Sequence, residues 1–219
     1  MTSKIVVNNI EADVGVNTVT ISGDITATSF SGSGANLTAL PAANITGTLP
    51  AISGANLTGI SAGITQADEW RVTANFNTSN ANMITSNWAR NNNRYDKIGD
   101  GMSVDGNGHF TFPETGIYKI EFNIMAGTSN QQVRYVVGEI IGTHNNFSSE
   151  GSLAFGNQSI SNDASVEVTA HCSTMFDVSD TSNHKVKFTC YSEHSITWFG
   201  TAANAQNRTY ATFIRLGDT

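Results

Sequence analysis

The chain has 219 residues, only 13% of them charged, and a formal net charge of −7. An acidic surface poor in Lys and Arg argues against a nucleic-acid partner, because phosphate binding needs clustered cations. No run of about 20 apolar residues is present, so no transmembrane helix is expected, and the start MTSKIVVNNIEADVGV lacks the apolar stretch and small-residue cleavage site of a secretory signal.

Residues 1–24 alternate like strands. β-Branched residues dominate Ser3-Lys4-Ile5-Val6-Val7 and Asn17-Thr18-Val19-Thr20-Ile21, with Gly15 and Gly23 as punctuation. This segment is expected to be a β-rich attachment segment. Residues 25–67 carry no Asp, Glu, Lys or Arg, and Phe30 is their only aromatic. The hexapeptide SGANLT stands at Ser33–Thr38 and returns at Ser53–Thr58, with a related ANIT at Ala43–Thr46. Large apolar residues recur sparsely (Phe30, Leu37, Leu40, Ile45, Leu49, Ile52, Leu57, Ile60, Ile64), and Pro41 and Pro50 exclude a continuous helix. So few bulky side chains cannot offset a backbone ordering cost of roughly 1–2 kcal/mol per residue. A flexible linker, or several copies wrapped about a shared axis, would each accommodate the segment. The recurring aliphatics favour the wrapped stalk, because Gly and Ser alone suffice for a linker.

From Asp68 onward, strand signals run to the end. Trp70–Phe76 alternates and is expected to be one strand with Trp70, Val72, Ala74 and Phe76 on one face. His109–Phe112 is a short strand ended by Pro113. Gly116 opens Ile117–Ile124, where Tyr118, Ile120, Phe122 and Ile124 oppose Ile117, Lys119, Glu121 and Asn123. Gln131–Ile141, Ser165–Val178, His184–Tyr191 and Thr209–Leu216 complete the set. No window has convincing helical periodicity, so an antiparallel sandwich is the expected class for a head spanning residues 68–219.

The stretch Gly108-His109-Phe110-Thr111-Phe112-Pro113-Glu114-Thr115-Gly116-Ile117-Tyr118-Lys119-Ile120-Glu121-Phe122 resembles the G-x-F-x-x-P-x-x-G-x-Y-x-F-x-F run of the C1q/tumour-necrosis-factor family. Ile120 departs from it where the family prefers an aromatic. Tyr95-Asp96-Lys97-Ile98-Gly99 and Tyr210–Leu216 sit where the family has strands. The front part, with its SGANLT repeats and KIVVNNIEADVGVNTVTISGDIT opening, is similar to tail-fibre and related virion proteins of tailed bacteriophages. Together these resemblances imply a homotrimer located in a virion: an extended stalk, a jelly-roll head, and an N-terminus joined to other virion structural proteins. The head would adhere to a host-surface glycan or protein; in the alternative, the protein is a decoration or connector fibre whose head serves trimerisation.

No catalytic pattern is visible, and no enzyme activity, cofactor or metal is expected. Cys172 and Cys190 share parity with apolar neighbours and are read as inward-facing. The resemblance implies that they lie in opposite sheets, as buried free thiols or as a disulfide. The histidines His109, His144, His171, His184 and His194 form no metal-ligand or nucleophile spacing. Asp96–Asn107, with Asp96, Asp100 and Asp105 among glycines, is read as a turn cluster, with a calcium loop as the alternative. Asn91-Asn92-Asn93-Arg94, His144-Asn145-Asn146-Phe147 and Trp198-Phe199-Gly200 are patches suited to sugar stacking or to packing, and no receptor-binding residue is assigned among them. Seven Asn-x-Ser/Thr sequons, at Asn36, Asn44, Asn56, Asn77, Asn146, Asn157 and Asn207, are read as chance in a chain of this composition.

Overall fold

The computed structural model describes residues 63–219 apart from 94–95, 129–130, 162–165 and 204–205, together with positions 10–12, 15, 20, 22–24, 26 and 28–29. The attachment segment and the stalk therefore fall largely outside the described residues, as do Arg94 and Tyr95. The chain divides into two units, Met1–Asn56 and Leu57–Thr219. Within the first, Gly15 makes a turn at φ 89°, a conformation glycine adopts without steric cost.

The second unit is built of thirteen strands among its described residues. They are β1 (Ala67–Val72), β2 (Phe76–Thr78), β3 (Asn82–Met83), β4 (Trp88–Arg90), β5 (Ser103–Val104), β6 (Phe110–Thr111) and β7 (Gly116–Thr128). The rest are β8 (Val133–Thr143), β9 (Gly151–Ile160), β10 (Val166–Val178), β11 (Lys185–Ser192), β12 (Ile196–Trp198) and β13 (Tyr210–Gly217). Two antiparallel sheets result. One runs β2-β12-β7-β13-β1-β4, with β10 on the other side of β7; the second runs β5-β6-β11-β8-β9, with β3 beside β11.

Strand β7 is the spine of the first sheet, and its two-residue period decides the layering. Tyr118, Ile120, Phe122, Ile124 and Ala126 are buried between the sheets, while Ile117, Lys119, Glu121, Asn123 and Met125 line the outward face. The core is aromatic. Phe110 lies 5.3 Å from both Phe188 and Phe213, and Phe122 lies 4.8 Å from Phe188, within the range in which ring pairs attract.

One reading of the sequence is corrected here, and two further features had no counterpart in it. Trp70–Phe76 is not one strand: β1 stops at Val72, Ala74 is exposed, and Phe76 opens β2, which pairs only with β12. Loops take over the backbone groups that would continue the ladder. The Thr201 amide donates to the Val72 carbonyl at 2.9 Å, and the Thr73 amide donates to Asn87 at 2.8 Å. Strand β9 was not expected at all, since its Ser, Gly, Asn and Gln residues carry no apolar alternation. Pairing with β8 makes it a strand. Finally, Asp68 and Arg71 are buried, although charged side chains normally stay exposed.

Candidate functional site

The two ends of the sandwich are distinguished by the chain itself. Ala67 opposes Ile214, and Gly217 opposes Ile117, so β1 begins and β13 finishes at one end. Thr128, Val166 and Ile196 lie at the opposite end, where β7, β10, β12 and β2 run side by side.

The outward face of the first sheet mixes apolar and charged side chains. Lys119 pairs with Glu121 at 2.6 Å, and Glu69 accepts from Thr212 at 3.3 Å and from Asn207. Burial, then the Glu69 and Glu121 carboxylates, push the Tyr210 hydroxyl above its ordinary pKa. Beside β1, Ala67, Ile98, Thr212 and Ile214, together with Asp68, Glu69 and Asp96, line a mostly apolar depression of about 290 Å³. On the other margin, β9 and β10 close the sandwich so tightly that a Cβ on Gly156 would lie 1.9 Å from the His171 carbonyl oxygen. That margin carries Phe155 and Met175, 66% and 68% exposed, the two most exposed large apolar side chains of the head among the described residues.

A second cavity, of about 320 Å³ and mostly polar, opens at the end opposite Ala67 and Gly217. Asn77, Thr128, Glu167, Ser195, Thr197 and Phe199 contribute to its wall. Phe199 is held firmly. Its amide donates to Met125 at 2.8 Å, its carbonyl accepts from Thr209 at 2.7 Å, and the Arg208 guanidinium lies 5.2 Å from its ring centre. The ring lies against Gly127, where an added Cβ would come within 2.8 Å of it. The Asn77 amide nitrogen, oriented toward acceptors, donates to Thr197 Oγ1 at 3.0 Å and to Ile196 at 3.2 Å.

The residues singled out in the sequence are dispersed. Cys172 sits in the first sheet and Cys190 in the second, both facing the core as expected, and both are free. Their Sγ atoms lie 3.5 Å from Gly138 O and 3.8 Å from Asn82 O. Burial pushes the thiols up to about 11 and about 12 respectively. Neither is expected to react with a thiol reagent at pH 8 in the folded protein, and both should react in denaturant, because only the exposed thiolate attacks. A thiol count with and without guanidinium checks this, and a native count of one or two refutes it.

In the Asp96–Asn107 run, the carboxylates serve the turns. Asp105 accepts from the Asn107 and His109 amides, both at 2.9 Å, and Asp96 accepts from the Lys97 amide at 2.8 Å. The Gly99 and Asp100 carbonyls that a calcium ion would need instead receive the Lys97 ammonium, at 2.9 and 2.6 Å. His171 is exposed opposite the buried Cys172, and its Nδ1 lies 3.1 Å from Asn123 Oδ1. His144 and His184 meet at 3.2 Å, and His109 stacks on Phe147 at 4.1 Å. Among the described residues, no three His, Cys, Asp or Glu side chains cluster as metal ligands.

Of the three patches, Asn91 is buried and bonded to Asn207 at 3.1 Å, and Trp198 is fully buried, donating to the Thr78 carbonyl at 3.0 Å. Both are structural. Phe199 alone of its trio reaches a cavity. Sequence reasoning missed its partners, since Asn77, Glu167 and Ser195 belong to separate strands and turns.

No protein-family model matches this chain, and no curated protein matches it. Solved structures do. The structure of Eiger TNF from S. frugiperda superposes with a TM-score of 0.54 at 10% identity, covering 72% of this chain and 96% of that one. The crystal structure of murine APRIL at pH 5.0 gives a TM-score of 0.49 at 12% identity, covering 69% of this chain and 98% of that one. The likeness to Eiger shows the fold: the antiparallel sandwich is a jelly roll of the tumour-necrosis-factor type, as the Gly108–Phe122 run implied.

Proposed function

We propose that this chain is a non-enzymatic, homotrimeric virion fibre protein whose head adheres to a host-surface receptor. One observation carries the assembly. The two most exposed large apolar side chains described in the head, Phe155 on β9 of the second sheet and Met175 on β10 of the first, lie on the strands of one margin, and the depression of Ala67, Ile98, Thr212 and Ile214 lies beside β1 and β13, across β7 from β10 in the first sheet. An apolar margin and an apolar recess at different places on one subunit suit a head-to-tail contact, which closes into a ring when the rotation per copy allows. Three copies close it here, each margin covering the next recess. The uncharged repeat at 25–67 supports association of several copies, because its sparse aliphatics need neighbouring chains. The fibre-like front of the sequence supports a place in a virion, with residues 1–24 joining other structural proteins.

Native mass measurement tests the assembly. A particle of three times the 23.3 kDa chain mass is expected at micromolar concentration. Met175→Glu, which would leave a carboxylate in the contact, is expected to weaken association at least tenfold with the fold intact. A monomeric parent chain, or a Met175→Glu variant that associates undiminished, refutes the assembly. Adhesion is tested by binding of the assembled protein to host cells. A trimer that binds none supports the second reading, a decoration or connector fibre, which the resemblance of the N-terminal repeats also accommodates.

A further inference from the structure

We infer that the cavity of Asn77, Thr128, Glu167, Ser195, Thr197 and Phe199 is a saccharide-binding site whose occupant is a neutral hexopyranose; the inference rests on the reading of the head as a receptor-binding tip.

Its size is suitable. About 320 Å³ falls at the lower end of the roughly 300–1,000 Å³ typical of small-ligand sites. Its lining is unusual, because most such sites are apolar, whereas this one is polar around a single aromatic ring. A ligand that matches must be dense in hydroxyl groups yet present one flat apolar face. A pyranose does both: its C–H face lies on a ring such as Phe199, and its hydroxyls meet a carboxylate, an amide and three alcohols. Glu167 accepts two hydroxyl protons at once, while Ser195, Thr197 and Thr128 both donate and accept.

Charge narrows the class. Among the described residues, Glu167 is the only ionisable side chain in the lining, and the chain carries net charge −7, so a uronic or sialic acid would meet repulsion. A phosphate ester would find no cation among the described residues of the wall, since Arg208 is placed at the Phe199 ring and outside the lining. The site is also preorganised. Both backbone groups of Phe199 are hydrogen-bonded, Gly127 leaves the room its ring occupies, and Asn77 is tied to Thr197, so little freedom is lost on binding. Its position suits reception. It opens at the end of the unit opposite Ala67 and Gly217, and a trimer would repeat it three times at that end. Weak individual sites would then act together through effective concentration.

Saturation-transfer NMR on the full chain tests this, using the methyl glycosides of glucose, galactose, mannose and N-acetylglucosamine, with glucuronate as the acidic comparison. Saturation transfer to at least one neutral glycoside is expected, and none to glucuronate. Phe199→Ala and Gly127→Ala, which remove and displace the ring, should each weaken binding about tenfold or more. Glu167→Gln, a change at an exposed position that leaves the fold undisturbed, should weaken it about tenfold. No transfer to any neutral glycoside, transfer to glucuronate alone, or undiminished binding by Glu167→Gln overturns the inference. Native mass recorded on the same samples separates the two proposals: a trimer that ignores sugars refutes the site and leaves the assembly standing, and a monomer that binds them does the reverse.

Discussion

Replacing Phe122 with Ala is expected to lower the stability of the head by about 3–5 kcal/mol. Phe122 is fully buried at the centre of β7, its ring 4.8 Å from Phe188. The Gly138 position opposite is already filled by this ring, since a Cβ there would meet Phe122 at 3.2 Å and Ile124 at 2.5 Å. Truncation therefore opens a cavity between two hydrogen-bonded sheets, which relax little toward each other. A loss of this size is a large share of the about 5–15 kcal/mol that stabilises an ordinary domain. It corresponds to a fall in melting temperature of roughly 6–20 °C for a unit of this length. Thermal unfolding at one fixed protein concentration measures it, and that condition matters because association contributes to apparent stability. A shift below about 3 °C would mean that β7 does not carry the core.

Asp68→Ala should cost about 2–4 kcal/mol through a different mechanism. The Asp68 carboxylate gathers donors that have few other acceptors. It accepts from Trp70 Nε1 at 2.9 Å, the Met102 amide at 2.7 Å and the Glu69 amide at 2.9 Å, and it pairs with Arg90 at 2.8 Å. Arg90 also lies 4.4 Å from the Trp70 ring and donates to the Met102 carbonyl. Removing the carboxylate strands the Trp70 and Met102 donors in the interior. Arg90 is 31% exposed, so water takes up part of its lost partner, which keeps the figure below that of a fully buried pair. Asp68→Asn retains one acceptor oxygen and should fall between parent and Ala. Equal midpoints for Asp68→Ala and the parent in urea would refute this role.

Much of the fold was legible because burial in a sandwich writes itself as a period of two. Tyr118, Ile120, Phe122 and Ile124 show it in β7, and Ala170, Cys172 and Phe176 show it in β10, so both the strands and their inward faces could be read directly. The thiols followed by the same parity. Legibility failed where a residue's neighbours come from elsewhere in the chain. Asp68 carries no sign of burial in the sequence until Arg90, Met102 and Trp70 are brought to it. Trp198 reads equally well as a sugar platform or as packing until Phe76 lies 6.3 Å away and Thr78 accepts its indole proton.

Residue order alone determined that the mass of bulky side chains after Trp70 would form an antiparallel β head, because alternation and aromatic content are local properties of a strand. Only the tertiary structure decided that β1 ends at Val72, that Gly151–Ile160 is a strand, and that Asn77, Glu167, Ser195 and Phe199 share one cavity. Each of these depends on which segments lie side by side, and pairing between separate segments leaves no periodic trace in the order of amino acids.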